Sequence, residues 1–311
     1  MREHAWLARL PAVIGETTPA VSLGIGDDCA VLDVRGASVV WTIDTVVENV
    51  HFTRAFASLE DIGFRAVMAA ASDIAAMGGR PTALLSSLIV PSDLDDEALD
   101  AVVLGERGAA IALGAPIVGG NVSRGTELSV TISVLGDALA PLTRAGARAG
   151  DRVWLHGPVG LAAAGLAALR RDPPIASPAL DLAIAAWRRP VARVTAGLAI
   201  ASRATAAIDV SDGLAQDAGH VARASGVTLE LDADACVDAS GPALRDAARA
   251  LALDPHDLAL AGGEDYALLV TSPHDLRDAD FTAIGIVREG PPTVTVLQSG
   301  RPRGAPPGWN H

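Results

Sequence analysis

Residues Ala207 to Asp217 read AIDVSDGLAQD. Ala206, Ala207 and Ile208 lead into Asp209; Ser211, Asp212 and Gly213 follow, and a helical pattern begins at Leu214. The apolar lead-in predicts a short buried strand. The acids and the glycine at its end put carboxylates and backbone N–H groups at one mouth, as a divalent cation and the phosphate it carries require. The same residues also fit a plainer role, in which Ser211 or Asp212 caps the helix and Gly213 makes the turn. Within this stretch both readings stand. Recurrence favours the first, because acidic clusters of the same kind return four more times along the chain.

Composition narrows the field. At 311 residues the chain is long enough for two domains, taking about 100–200 residues for each. Hydrophobic residues at 50% and charged residues at 20% describe a globular chain. Aromatics make up only 3%, so the core must be built from Ala, Val, Leu and Ile. The net charge of −13 argues against nucleic acid as a partner. It leaves small phosphorylated ligands open, since clustered acids recruit Mg²⁺ and so accept phosphate. All 24 basic residues are arginine. A Walker A motif and the protein-kinase signature both need a lysine, and both are therefore excluded. Two cysteines, Cys29 and Cys236, are too few for a disulfide scaffold and read as small buried hydrophobes. The N-terminus lacks the apolar core of a signal peptide, and the longest apolar run, Leu161 to Leu169, is too short to cross a bilayer. A cytoplasmic protein with no membrane partner is expected.

In chain order, residues 2–10 have helical spacing. GIGDDCAVLD, Gly24 to Asp33, carries two adjacent acids on a glycine-flexed loop that enters a strand. A dinucleotide-binding reading fails there, for want of a third glycine and of a strand leading in. Ser38 to Asp44 reads as a fully buried strand that delivers Asp44, with Glu48 and His51 close behind. Asp61 to Met77 is helical, and Asp73 sits among its alanines, where an acid is costly unless paired or metal-bound. Strands are predicted at Ala83–Val90, Ile117–Asn121 and Glu127–Leu135, and a long helix at Leu94–Leu113.

Ala138 to Gly150 lacks apolar periodicity and marks the boundary between a first domain, 1–137, and a second, 150–311. The second has predicted strands at Arg152–His156, Val227–Asp232, Thr282–Val287 and Thr293–Leu297. Its predicted helices include a small-residue one ending near Leu169, Leu180–Trp187, Val191–Ser202 and Pro242–Leu251. Gly262-Gly263 present Glu264 and Asp265 just before another strand, and a Pro/Gly-rich tail ends Gly308-Trp309-Asn310-His311.

The acids Asp27, Asp28, Asp44, Asp73, Asp209 and Asp212 are hard oxygen donors without histidine or cysteine company. They point to Mg²⁺ or Ca²⁺ and away from zinc, and the EF-hand spacing is absent. What remains is a nucleotide site of carboxylate-bound Mg²⁺, glycine loops and a few arginines.

Eight segments occur in order over nearly the whole chain: GIGDDCAVLD, TIDTVVENVHF, SDIAAMGGRP, GGNVSRG, LTRAGARAGDRVW, IDVSDGL, GGEDYALL and GWNH. Together they resemble the thiamine-monophosphate kinase family, within the superfamily typified by aminoimidazole ribonucleotide synthetase. The resemblance implies a two-domain α+β / α/β fold. An N-terminal sheet-forming domain would dimerise, a C-terminal α/β domain would follow, and the family's active site lies between the two. It implies ATP-dependent phosphorylation of thiamine monophosphate to thiamine diphosphate with several Mg²⁺ ions. Carried onto this sequence, the magnesium ligands are Asp28, Thr42, Asp44, Asp73, Asp209 and Asp212, with Asp27 and the Ile43 main chain less firmly placed. Nucleotide contacts fall on Gly120, Asn121, Arg144 and Ser211, and thiamine-phosphate contacts on His51, Glu264 and Trp309. Asn121 stands where the family usually has an aspartate metal ligand. The alternatives are another ATP-dependent enzyme of the superfamily or a non-catalytic nucleotide- or metal-binding module. Selenophosphate synthetase fits poorly, since Cys29 has no lysine beside it.

Overall fold

The computed structural model describes residues 20–304, 306 and 308. The predicted helix at 2–10 and Trp309 lie outside these. The chain divides into two compact units, one ending at Pro141 and the other beginning at Leu142.

The first unit is built on a six-stranded sheet in the order β1-β2-β3-β6-β4-β5. Its strands are β1 Val21–Leu23, β2 Ala30–Val34, β3 Ala37–Val47, β4 Arg80–Val90, β5 Ile117–Arg124 and β6 Ser129–Asp137. All pairings are antiparallel except β4 with β5. Helix α1, Leu59–Ala76, packs against β3 and β6, and α2, Asp96–Leu113, packs on α1.

Ser58 and Asp61 form a reciprocal capping box at the start of α1, and Asp95 caps α2. Ile62, Val67, Ala70, Ala71 and Ile74 form the buried stripe of α1. Each large side chain in it contributes roughly 1.5–3 kcal/mol of apolar burial. The two helices meet at reciprocal glycines: a Cβ on Gly63 would lie 2.0 Å from the Val102 carbonyl oxygen, and one on Gly105 would lie 1.9 Å from that of Glu60. Only glycine permits so close an approach.

Two expectations for this unit need correction. β3 is buried on one side only: Val40, Thr42 and Val46 face inward, whereas Trp41 and Ile43 on the other face are 50% and 68% exposed. A short strand, β1, does precede the GIGDD loop, but it runs antiparallel to β2 with no helix between, so no dinucleotide-binding unit results.

The second unit has a seven-stranded sheet, β13-β12-β9-β11-β7-β10-β8. Its strands are β7 Arg152–His156, β8 Ala206–Val210, β9 Thr228–Asp232, β10 Ala267–Ser272, β11 Thr282–Arg288, β12 Thr293–Gln298 and β13 Arg301–Arg303. The helices are α3 Leu161–Leu169, α4 Pro178–Arg188, α5 Val194–Ile200, α6 Leu214–Ser225, α7 Ala233–Ala239, α8 Gly241–Leu251 and α9 Pro255–Ala261. The strand of the opening stretch, β8, is buried at all five positions yet forms the edge of its sheet, paired only with β10. Val153, Leu155, Ile208, Leu229, Leu231 and Leu269 lie in the main core cluster of this unit. Cys29 and Cys236, one in each unit, are both buried and neither forms a disulfide. Among the described residues no helix is long and apolar enough to cross a membrane.

Candidate active site

In the first unit the glycine-flexed loop carries Asp27 and Asp28, and β3, which runs three residues beyond the predicted end at Asp44, carries Thr42 and Asp44 within it. Thr42 lies on the inner face of β3, and its hydroxyl donates to Asp73 Oδ2 on α1 at 2.5 Å. Asp28, only 8% exposed, and Asp73 each offer a carboxylate oxygen within 4.8 Å of the other. Two like charges held this close favour a cation between them, and every donor is a hard oxygen. Asp44 follows two residues after Thr42 on the same strand, and its Oδ1 accepts the Thr45 N–H at 2.7 Å. Asp27 Oδ1 likewise accepts the Asp28 N–H, at 2.9 Å. The side chain of Ile43 is exposed, and its backbone pairs with Ser133 of β6. The structure thus gathers Asp28, Thr42 and Asp73, with Asp44 alongside.

Gly120 and Asn121 lie apart from that group, on β5. Gly120 pairs with Ser86, and a Cβ there would sit 1.7 Å from the Ser86 carbonyl oxygen, so the glycine is fixed by close strand contact. Asn121 pairs with Ser87 and takes the sheet face opposite to that of Thr42. Its Nδ2 donates to Ser123 Oγ at 3.2 Å, which makes the carbonyl oxygen the arm available for a cation. Below it, the buried Glu106 accepts from Ser86 Oγ at 2.8 Å, and burial raises its carboxyl pKa above the usual range. His51 accepts the Val47 N–H on Nδ1 at 3.1 Å, which leaves the ring proton of the neutral form on Nε2. The loop that carries it is pinned by Arg54, which bridges Glu48 at 2.6 Å and Asp93 at 2.8 Å.

In the second unit the opening stretch forms strand, loop and helix in turn. Asp209 is buried on β8. Neither Ser211 nor Asp212 caps α6. The N-cap is Gly213, at φ +118°, with no side-chain cap bond. The plainer reading holds for the turn, which Gly213 makes, and not for the cap, since the cap position is Gly213 itself. The N–H groups ahead of the helix have an acceptor of their own. Asp217 Oδ2 receives those of Ser211, Asp212 and Gly213 at 3.0, 3.1 and 3.2 Å.

Arg144 stands on a segment tied to the same helix, because Ser225 Oγ donates to the Arg144 carbonyl and accepts from the N–H groups of Gly146 and Ala147. The Gly262–Tyr266 loop docks on the Ser211 loop as well. Glu264 N–H donates to the Ser211 carbonyl at 2.7 Å and Tyr266 N–H to that of Val210 at 2.8 Å. A Cβ on Gly263 would lie 2.6 Å from the Ser211 carbonyl oxygen. Glu264 and Tyr266 have φ of +66° and +50°. This left-handed backbone costs such residues about 1–2 kcal/mol each, and surrounding contacts must hold it. Trp187 supplies one, donating its Nε1–H to Glu264 Oε2 at 2.7 Å. Trp309 lies outside the described residues, but Gly308 abuts Asp212: a Cβ there would fall 2.7 Å from the Asp212 carbonyl oxygen.

Known proteins resemble this chain over most of its length. Two family models match the chain: AIR synthase related protein, N-terminal domain, over residues 26–138, and the C-terminal domain of the same description over residues 148–290. The chain is 33% identical over 289 residues to the thiamine-monophosphate kinase of Aquifex aeolicus, covering 92% of each. It is 36% identical over 307 residues to that of Mycobacterium tuberculosis, covering 94% of this chain and 87% of the relative. The chain belongs to the thiamine-monophosphate kinase family. Among solved structures, AaThiL complexed with AMPPCP and TMP superposes with a TM-score of 0.88 at 30% identity, over 99% of this chain and 96% of that one.

Three further residues of this thiamine-monophosphate kinase family member shape the site, and of these only Asp265 lies inside one of the eight ordered segments, GGEDYALL. Asp217 and Trp187 act as described above. Asp265 caps α3 from a distance: its carboxylate accepts the N–H groups of Gly160 at 2.6 Å and Ala162 at 3.0 Å. Burial pushes its pKa up to about 7, against the pull of those two N–H groups. For Asp217 a local signal existed, since a glycine N-cap offers no side-chain acceptor and an acid follows four residues later. For Trp187 none did, its partner lying 77 residues away, and for Asp265 the motif marked the residue but not its partners, 103 and 105 residues away.

Proposed function

We propose that this chain transfers the terminal phosphoryl group of ATP to thiamine monophosphate, giving thiamine diphosphate and ADP. The observation that carries the reading is whole-chain likeness, at a TM-score of 0.88, to a structure holding AMPPCP and TMP. The gathered oxygens of Asp28, Thr42 and Asp73 support it. The second pKa of a phosphate monoester is about 6, so at neutral pH the attacking phosphate is already largely ionised. No general base is then needed, which suits a site of acids and few histidines. The remaining task is to hold two anions in line, by positioning and electrostatics.

The donor set fits Mg²⁺. Asp28, Thr42, Asp44 and Asp73 of the first unit, and Asp209 and Asp212 of the second, would hold the ions; Asn121, on the opposite face of the first sheet from Thr42, stands outside that set. Bound Mg²⁺ neutralises phosphate charge. Gly120, Asn121, Arg144 and Ser211 hold the nucleotide. His51, Glu264 and Trp309 hold thiamine monophosphate: Trp309 stacks on its cationic ring, and Glu264 answers its charge or accepts from its amine. On this reading residues 1–137 bind ATP and Mg²⁺ and form a homodimer, residues 150–311 complete the enzyme, and the protein works in the cytoplasm. The test is incubation with Mg·ATP and, in parallel, thiamine monophosphate, thiamine and aminoimidazole precursors. Thiamine diphosphate and ADP are the expected products, and turnover of another precursor alone overturns the proposal.

A further inference from the structure

We propose that Asp217 is a positioning residue for this phosphoryl transfer, one carboxylate oxygen setting both the loop that presents Ser211 and Asp212 and, through it, the segment that carries Glu264. The inference rests on the function proposed above.

Asp217 is 3% exposed in the first turn of α6. Burying a carboxylate there is costly unless it is fully used. Its Oδ2 accepts three successive N–H groups, from Ser211, Asp212 and Gly213. An ordinary cap serves N–H groups inside its helix. These three belong to residues that precede α6, so the side chain shapes the loop and not the helix. Three N–H groups converging on one carboxylate oxygen restrain the loop's backbone more than a single bond would, and hydrogen bonds to a carboxylate are the stronger kind. The constraint then passes onward. With its N–H groups turned toward Asp217, the loop directs the carbonyls of Ser211 and Val210 at the N–H groups of Glu264 and Tyr266. Glu264 keeps its left-handed backbone against that support. Displacing one loop displaces the other.

The experiment compares wild type, Asp217→Ala and the near-isosteric Asp217→Asn. The alanine variant is expected to raise the Mg²⁺ concentration for half-maximal activity and the KM for thiamine monophosphate, each about tenfold, and to weaken calorimetric binding of Mg·AMPPCP by about tenfold. The asparagine variant keeps an oxygen at the same place without the charge and is expected to rise only about threefold in each. A role in stability alone would lower Tm while leaving these constants within twofold of wild type, and that result overturns the proposal. If the alanine variant fails to fold, the asparagine variant decides on the same constants. A wild type that binds Mg·AMPPCP but leaves thiamine monophosphate untouched sinks the function and not the positioning role, which calorimetry then decides. A wild type that binds no Mg·AMPPCP overturns both.

Discussion

Asp73 shows how a single acid among alanines declares its purpose. Its Oδ2 takes the Thr42 hydroxyl, and Asp28 brings a second carboxylate within 4.8 Å. Without a cation the two charges repel; with one they become its ligands. Asp73→Asn is therefore expected to raise Tm in the presence of EDTA, where repulsion is relieved, and to lower it relative to wild type in millimolar Mg²⁺. Turnover should fall by about a hundredfold or more. A variant whose Tm moves the same way in both buffers would remove Asp73 from the metal site. Residues of this kind stood out in the sequence because an ionisable group inside an apolar pattern needs either a partner or a cation. Trp187 was not legible: a tryptophan on the buried stripe of α4 reads as core, and only the folded chain shows its indole N–H on Glu264.

The sites stand on elements that periodicity mostly located, among them α1, α2, β7, β8 and α6. Two short helices escaped. α7, with the sequence ADACVDA, is too short and too rich in alanine to show a face, and α9 is seven residues long. Both nevertheless carry start signals, Asp232 capping the first and Asp254 with Pro255 opening the second. β13 hid in the Pro/Gly tail as the return arm of a hairpin that turns at Ser299 and Gly300, both at positive φ.

The dependence of α3 on Asp265 sets a pH signature for its element. Burial raises this carboxyl in the folded state to about 7, from an ordinary value near 3.8. Between those limits the folded protein holds a proton that the unfolded chain releases. Its stabilising contribution is complete below about pH 4 and is lost as pH rises through 7. The Tm advantage of wild type over Asp265→Asn should therefore shrink between about pH 4.5 and 7.5. An advantage that grows over this range contradicts the assignment. The helix N-terminus that Asp265 serves is one whose own N-cap, Gly160, has no side chain to offer.

At the scale of the whole molecule, the outer face of the first sheet is where the proposed homodimer would form. Trp41, Ile43, Leu85 and Ile89 stand exposed on it, an apolar group of the kind that marks an interaction surface. The sequence pointed to β3 as fully buried because its residues are apolar on both sides, a pattern that the proposed dimer would account for. The strand predicted at Glu127–Leu135 is the interior strand β6, between β3 and β4, so it offers no free edge to a second chain. Wild type is expected at twice the chain mass by light scattering at micromolar concentration, and Ile43→Glu at the mass of one chain. A wild-type monomer that is fully active would count against the dimer.

The two buried thiols have a use of their own. Cys29 is 2% exposed in the first unit and Cys236 is 0% exposed in the second, where burial raises its pKa far above the ordinary thiol range. Neither sulfur meets an alkylating reagent until its surroundings open. Each unit therefore contains one native stopwatch. Brief pulses of reagent during heating, followed by peptide mass spectrometry, time the two openings separately in the unaltered chain. Simultaneous tagging would mean that the halves come apart as one cooperative block, and staggered tagging would name the half that yields first.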